Sequence, residues 1–235
     1  MLAMVALCCN YYFLCLYDIC TCSVRIADGE DSHHWSTWYR QMEKIVIIGA
    51  SGAGKSTLAK GLGPILKIKV FHLDRFFWQR GWKRRTGNSR IDILQDLVRE
   101  KGWIIEGSYL SSAELHLEAA DTIIFLDIHP LLCFCRVIKR HWECRRKRFR
   151  SDIPAGCTDK LTLFRMLKVL AFPLIGRRML EKKLHKYESK RIIRLRSDEE
   201  VRDFLAQLVQ DANDKRNFPS KAPAAKGKPL ALVSR

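Results

Sequence analysis

Acidic residues are scarce in this chain of 235 residues, which has 25 Asp and Glu against 42 Lys and Arg and a formal net charge of +17. Such an imbalance points to polyanionic partners, namely nucleotide phosphates, nucleic acid or an acidic membrane surface. The sequence also lacks low-complexity tracts and internal repeats, so its composition is that of an ordinary globular protein. The length allows one α/β domain with a sizeable core and short appendages.

The first 41 residues lack the features of a targeting segment. Residues 2–19 are apolar and aromatic, but Asn10 and Asp18 interrupt the run and no Lys or Arg precedes it. Signal peptides and membrane spans have the opposite features. We therefore interpret residues 1–41 as an N-terminal extension outside the fold. Because Met42 precedes the first predicted strand, a protein of this kind could begin there, and the extension would then be a start-site artefact. The alternative is a genuine membrane anchor; we expect no stable membrane association.

Cysteines paired at zinc-site spacing are also missing. Five of the nine cysteines lie in the first 22 residues, and Cys133, Cys135, Cys144 and Cys157 are scattered through the rest. Neither group shows C-x₂-C pairs accompanied by histidines, so we expect no zinc site. We interpret the thiols as buried or incidental groups of a cytoplasmic protein, since cytosolic thiols stay reduced.

What the chain does contain is a phosphate-loop motif. Residues 49–56 match G-x-x-x-x-G-K-[ST], after an apolar run typical of a strand buried on both faces. The helix that follows would point the positive end of its dipole at a bound anion. The predicted nucleotide-binding residues are Gly49, Ala50, Ser51, Gly52, Ala53, Gly54, Lys55, Ser56 and Thr57. The motif therefore predicts an ATP site in which Lys55 reaches the β- and γ-phosphates and Ser56 binds Mg²⁺.

Strand and helix patterns alternate after Met42. Strands are predicted at residues 45–48, 68–74, 103–106, 122–126 and 191–195, with an aromatic and basic loop at 75–90, a helical region at 159–187 interrupted at Pro173, and a last helix at 198–209. This order predicts an α/β P-loop NTPase fold with a doubly wound, five-stranded parallel sheet, in which ligands sit at the carboxyl ends of the strands. We place the domain at residues 42–211 and a disordered basic tail at 212–235.

Three carboxylates fall at predicted strand ends. Glu106 emerges beside the phosphate loop, where it could complete the Mg²⁺ site that Ser56 begins. Asp74 could accept a proton or a hydrogen bond from the phosphoryl acceptor. For both residues a purely structural role is the alternative, and Asp127 is better interpreted as a helix-entry residue.

Arginines cluster in residues 131–157, which we interpret as a basic helical lid. Arg140, Arg146, Arg148 and Arg150 are candidate catalytic residues together with Lys55, Asp74 and Glu106. Phosphoryl transfer depends on positioning and charge neutralisation, and guanidinium groups bind phosphate bidentately. A lid that closed with these residues would exclude water from the site. The alternative is a solvated basic face.

These motifs together resemble the adenylate-kinase-like P-loop kinases, and within them the DNA topology modulation protein (FlaR-like) group. The matching stretches are residues 49–57, 71–74, 77–78, 81–82, 103–109, 120–127, 136–140 and 150–157. The resemblance implies ATP binding, a small-molecule kinase scaffold and a lid at 131–157. Adenylate kinases proper follow an Asp-Gly pair with an aromatic residue, Pro and Arg. Here the run from Glu106 to Tyr109 lacks that arginine, which argues against AMP as acceptor.

Three functions are compatible with these sequence features. The first is transfer of the γ-phosphoryl group of ATP, with Mg²⁺, to a small acceptor such as a nucleotide or nucleoside. The second is a nucleotide-regulated nucleic-acid-binding protein affecting DNA topology, which the basic charge and interleaved aromatic residues would suit. The third is an ATPase without an acceptor. The sequence favours the first, because it shows no recognition helix and no RNA-binding module.

Overall fold

The computed structural model describes residues 42–107, 109, 113–145, 157 and 162–217. In chain order its elements are β1 (Lys44–Gly49), α1 (Lys55–Leu66), β2 (Lys69–His72), α2 (Leu73–Phe77), β3 (Trp78–Gln79), β4 (Lys83–Arg84), α3 (Gly87–Val98), β5 (Trp103–Glu106), α4 (Ala113–Ala119), β6 (Thr122–Leu126), α5 (Pro130–Arg145), α6 (Leu163–Leu170), α7 (Arg177–His185), β7 (Arg191–Leu195) and α8 (Asp198–Asn217). Residues 1–41 and 218–235, predicted as extension and tail, lie outside the described residues.

The main sheet is parallel and five-stranded, in the order β2-β5-β1-β6-β7. The strand that precedes the phosphate loop is central, with β5 on one side and β6 on the other. Because all five strands run the same way, their carboxyl ends meet at one edge, where the loop between β1 and α1 also lies. The predicted fold class is confirmed.

The core lies on both faces of this sheet because side chains alternate along a strand. Ile45 and Ile47 of β1 are fully buried in a cluster with residues of α1, α5 and α8. Val46 and Ile48 are buried in a second cluster with residues of α2, α3, α4 and α7. The interpretation of this apolar run as a strand buried on both faces is therefore confirmed.

The segment predicted as a loop at residues 75–90 is ordered. It begins inside α2, continues as the antiparallel hairpin β3–β4 and ends in the first turn of α3. The hairpin reverses through Gly81 and Trp82, both with positive φ, and Trp82 packs edge-to-face on Trp78 with ring centroids 5.5 Å apart. Strands of two residues are too short to give an alternating pattern, so the sequence could not indicate them.

Two predicted element boundaries need correction. The second strand ends at His72 rather than at residue 74, so Asp74 lies in α2. The last helix continues to Asn217 instead of stopping at residue 209, and the domain boundary predicted at 211 therefore falls inside it. Polar residues extend a solvent-facing helix without difficulty, and the first residue that opposes the helix is Pro219.

Other predicted features agree with the structure. A π-helical turn, Phe172–Gly176, separates α6 from α7 at Pro173, as predicted. Ser197 caps α8 by accepting a hydrogen bond from the Glu200 N–H at 3.1 Å. Among the residues that the structure describes, no helix combines the length and the apolar character that a bilayer crossing requires.

Candidate active site at the strand ends

The phosphate loop packs against backbone of two neighbouring elements. Gly52 has φ +88°, and a Cβ at this position would lie 2.3 Å from the Cys133 carbonyl oxygen in α5. Gly49 has φ +147°, and its Cβ would lie 2.5 Å from the Leu126 carbonyl oxygen at the end of β6. A side chain fits neither place, so the shape of the loop depends on glycine at both.

Lys55, the first residue of α1, turns back over this loop. Its ammonium donates hydrogen bonds to the carbonyl oxygens of Gly49 at 3.1 Å and Ala50 at 2.8 Å. Burial lowers the pKa of Lys55, while the nearby carboxylates of Glu106 and Asp74 act in the opposite direction. The structure therefore brings these three predicted site residues together at the carboxyl edge of the sheet.

Ser56 and Glu106 are in direct contact. The Ser56 hydroxyl donates to Oε1 of Glu106 at 2.9 Å, and the Nδ1 of His72 lies 2.9 Å from the same oxygen. An ionised carboxylate only accepts, so the histidine must donate. The side chains of His72 and Glu106 are both buried, and the two residues stand opposite each other in the register of β2 and β5. No role was predicted for His72 from the sequence.

The pKa of Glu106 reflects these contacts. Burial would raise it, but hydrogen bonds from His72 and Ser56 and the charge of Lys55 outweigh burial and hold the pKa below its usual value. The carboxylate form is therefore the one that the folded site stabilises.

This pair fits a magnesium ion. A hydroxyl and a carboxylate are hard oxygen donors, which Mg²⁺ prefers, and phosphates and water complete its shell in phosphoryl-transfer sites. Within the described ranges, the structure shows no cluster of three or more His, Cys, Asp and Glu that could hold a metal by itself. Ser56 and Glu106 would thus hold Mg²⁺ together with a bound nucleotide.

Asp74 belongs to a second polar group beside this pair. Its Oδ1 accepts a hydrogen bond from the Tyr109 hydroxyl, whose oxygen in turn accepts from Nε1 of Trp78 at 2.8 Å. The Tyr109 ring packs edge-to-face against Phe77 with centroids 4.7 Å apart. No role was predicted for Tyr109, although it lies only three residues after Glu106.

The structure separates the predicted arginines. Arg140 is half-buried on α5, and its charge contributes to lowering the pKa of Lys55. Arg136, on the same helix, instead pairs with Asp198 of α8. Arg146, Arg148 and Arg150 lie outside the described residues, and their predicted role in a lid stays a prediction.

Asp127 does not join the site. Its carboxylate forms an ion pair with Arg177 of α7, with 3.0 Å between Oδ2 and Nη2. Its backbone N–H donates to the Leu195 carbonyl at 2.8 Å, which ties the end of β6 to the end of β7. These contacts link Asp127 to α7 and β7, and its predicted role as a helix-entry residue stays a prediction.

Acid is expected to destabilise the protein through Glu106. Because the pKa of Glu106 is lower in the folded state than in the unfolded chain, its contribution is present at neutral pH and is lost as the pH falls through the folded-state pKa. Urea unfolding would be measured at a series of pH values below neutral. As the pH is lowered, the free energy of unfolding should fall less for Glu106→Gln than for the wild type. The exposed Glu199→Gln is the control and should follow the wild type, whereas parallel curves for all three proteins would contradict the prediction.

Comparison with known protein sequences adds a distant relative. No model of a known protein family matches the chain. The uncharacterized protein YqaC of Bacillus subtilis (strain 168) is 28% identical over 116 residues, which are 48% of this chain and 63% of that protein. The match thus spans less than two thirds of the relative's length.

Solved structures of similar architecture include small-molecule kinases. A shikimate kinase from Bacteroides thetaiotaomicron is 19% identical with a TM-score of 0.46, covering 72% of this chain and 97% of that one. A shikimate kinase from Acinetobacter baumannii is 15% identical with a TM-score of 0.48, covering 79% and 99%. A gluconokinase from Sinorhizobium meliloti 1021 is 17% identical with a TM-score of 0.44, covering 75% and 97%. The strand order and the phosphate loop of this chain themselves define an α/β protein of the P-loop NTPase class.

Proposed function

We propose that this chain is a kinase that transfers the γ-phosphoryl group of ATP to a small acceptor. The observation that carries the proposal is the presence of two carboxylates at or just beyond the ends of neighbouring strands: Glu106 accepts a hydrogen bond from Ser56, the residue after Lys55, and Asp74 accepts one from Tyr109. A nucleotide-binding site needs one carboxylate for magnesium. A second one, held on a separate element and bordered by aromatic rings, supports an acceptor site.

Each residue has a distinct task in this proposal. The loop backbone and Lys55 hold the phosphates, and Ser56 and Glu106 hold the metal. When bound, Mg²⁺ supplies neutralisation of the phosphate charge. Arg140 adds positive charge from α5. Asp74 orients the acceptor.

The acceptor that we propose is a nucleoside or nucleotide. Aromatic side chains lie on and next to the helix that carries Asp74: Phe71 packs edge-to-face on Phe76 with ring centroids 6.0 Å apart, and Trp78 packs on Trp82 with centroids 5.5 Å apart. Such rings suit the flat face of a base. Assignment to the FlaR-like group within the adenylate-kinase-like kinases also stays part of this proposal, because it depends on sequence motifs.

An acceptor screen tests the proposal directly. ADP formation from MgATP would be measured with the full chain and a panel of nucleosides, nucleotides and sugar acids. We expect at least one member to stimulate ADP formation and to appear as a phosphorylated product by mass spectrometry. ATP hydrolysis that no acceptor of any class stimulates would contradict the kinase proposal and favour the plain ATPase.

The second candidate, a nucleotide-regulated nucleic-acid-binding protein, has one observation in its favour. The hairpin β3–β4 exposes Arg80, Lys83 and Arg84 next to the packed indole rings of Trp78 and Trp82. Cations beside aromatic rings are typical of surfaces that bind single strands.

Removing two lid charges separates the two candidates. If Arg146 and Arg148 serve catalysis, Arg146→Ala/Arg148→Ala should lower acceptor-stimulated turnover by about tenfold or more, since a lost transition-state contact of about 1.4 kcal/mol costs tenfold. ATP affinity should change much less. The control, Arg178→Ala/Lys182→Ala, removes the same charge from exposed positions on α7. Unchanged turnover, together with weaker DNA binding and a smaller salt dependence, would favour the nucleic-acid candidate instead.

A further inference from the structure

The hydroxyl group of Tyr109 connects two parts of the candidate site. Tyr109 follows β5, the strand that ends in Glu106, and its hydroxyl contacts Asp74 on α2. Gly107 makes the approach possible, because a Cβ there would lie 3.1 Å from the Leu73 Cβ and 3.3 Å from the Tyr109 ring. The strand that bears the predicted metal ligand thus also carries the partner of Asp74.

The direction of the hydrogen bonds in this group is fixed by chemistry. The indole N–H of Trp78 can only donate, and an ionised carboxylate can only accept. The Tyr109 oxygen must therefore accept from Trp78, and its own proton must point to Oδ1 of Asp74. Burial, and after it the charge of Asp74, raises the pKa of Tyr109, so the phenol keeps its proton at neutral pH.

Packing holds the tyrosine in this position. Phe77, fully buried and on the same short helix as Asp74, contacts the Tyr109 ring at an interplanar angle of 70°. The guanidinium of Arg90 lies over the Phe77 ring, 5.7 Å from its centroid. The hydroxyl can therefore move little without disturbing a buried aromatic pair.

We infer that Tyr109 is a positioning residue that holds Oδ1 of Asp74, so that Oδ2 receives the hydroxyl group of the acceptor, and that Trp78 fixes the tyrosine. The inference rests on the proposed kinase function and narrows its substrate class to acceptors that react through an alcohol, as a nucleoside does. An acceptor phosphate is mostly dianionic at neutral pH, so the like charge of a carboxylate beside it would repel it.

The chemical step balances with these groups. The acceptor oxygen forms a bond to the γ-phosphorus, and the bond from that phosphorus to the oxygen bridging to the β-phosphate breaks. The hydroxyl proton passes to Oδ2 of Asp74 and then to solvent, and ADP leaves with the electron pair of the broken bond. Tyr109 keeps its own proton throughout, which is why it positions the carboxylate and does not act as the acid or base.

Removal of one oxygen atom tests the inference. Tyr109→Phe keeps the ring on Phe77 but removes the donor to Asp74, and we expect kcat with the best acceptor to fall by about tenfold. The KM for ATP and acceptor-independent hydrolysis should stay within about twofold of wild type, since the phosphate loop is untouched. Tyr187→Phe is the matched control, because it removes the same atom from another tyrosine packed against the same apolar cluster. It should leave all parameters unchanged.

A double-mutant cycle distinguishes positioning from a general structural effect. If Tyr109 acts through Asp74, adding Tyr109→Phe to Asp74→Asn should lower turnover no further. Trp78→Phe keeps an aromatic ring but removes the indole N–H; it should lower kcat about threefold alone and no further in the Tyr109→Phe background, since the N–H acts on kcat through the tyrosine hydroxyl.

The outcomes separate this inference from the proposed function. The positioning role would be overturned if Tyr109→Phe left turnover unchanged, or if it lowered turnover as much in the Asp74→Asn background as in wild type. Either result would leave the proposed kinase function intact. Reaction of wild type with phosphate acceptors alone would overturn the substrate class. Absence of any acceptor-dependent turnover in wild type would overturn the proposed function and the inference with it.

Discussion

Replacing Lys55 by alanine is expected to abolish phosphoryl transfer, with a loss of at least about a thousandfold in turnover, because the proposed role of the ammonium is to neutralise charge on the transferred phosphates. The fold should persist. The lysine ammonium donates to two loop carbonyls, and the helix that it begins is anchored by the buried Leu58, Ala59 and Leu62. We therefore expect the free energy of unfolding to change by no more than about 1 kcal/mol.

Lys60→Ala provides the control for this prediction. Lys60 lies on the same helix and carries the same charge, but it is exposed to solvent away from the loop. Turnover and stability of both variants would be measured with the acceptor found in the screen and by urea unfolding. A Lys55→Ala protein that is folded and turns over at close to the wild-type rate would show that the phosphate loop does not act as proposed.

Replacing Gly52 by alanine is expected to damage both stability and nucleotide binding. The new Cβ would lie 2.3 Å from the Cys133 carbonyl oxygen and 3.0 Å from its carbon, which are backbone atoms of α5 that cannot rotate away. The positive φ of +88° adds strain for any residue with a Cβ. Together these effects should lower the free energy of unfolding by about 2–4 kcal/mol and distort the loop enough to abolish ATP binding.

Gly81→Ala isolates the part of this effect that comes from backbone strain alone. Gly81 has φ +76°, and a Cβ there would meet no atom of the described residues within 4 Å. This control should cost about 1 kcal/mol and leave ATP binding intact. Calorimetric ATP titration and urea unfolding of the two variants would be compared. Equal losses of stability in both would mean that the contact with Cys133 relaxes freely, contrary to the prediction.

The sequence indicated those parts of the site that depend on short stretches of chain. The phosphate loop and the strand that ends in Glu106 each lie within a few consecutive residues, so spacing and apolar runs were sufficient to predict them. The meeting of Ser56 with Glu106 also followed, since parallel strands bring their carboxyl ends to one edge.

The hydrogen bonds of His72 and Tyr109 could not be predicted in the same way. They join residues more than thirty positions apart, and each depends on side-chain direction at a strand end. No local pattern distinguishes a histidine that donates to a carboxylate from one that packs in a core. The last helix was cut short for a related reason, because a polar solvent-facing turn has no apolar periodicity to reveal it.

The pairing of His72 with Glu106 makes the candidate site depend on the register of β2 against β5. These residues are cross-strand neighbours, and β2, which supplies the histidine, is a strand of four residues at the edge of the sheet. A slip of β2 by one residue would turn the histidine to the opposite face and leave most of the core intact. Molecules with such a slip would look native in size and helix content but would lack the hydrogen bond that holds the predicted metal ligand. Specific activity would therefore report the fraction of correctly registered molecules in a preparation, which bulk measures of folding would miss.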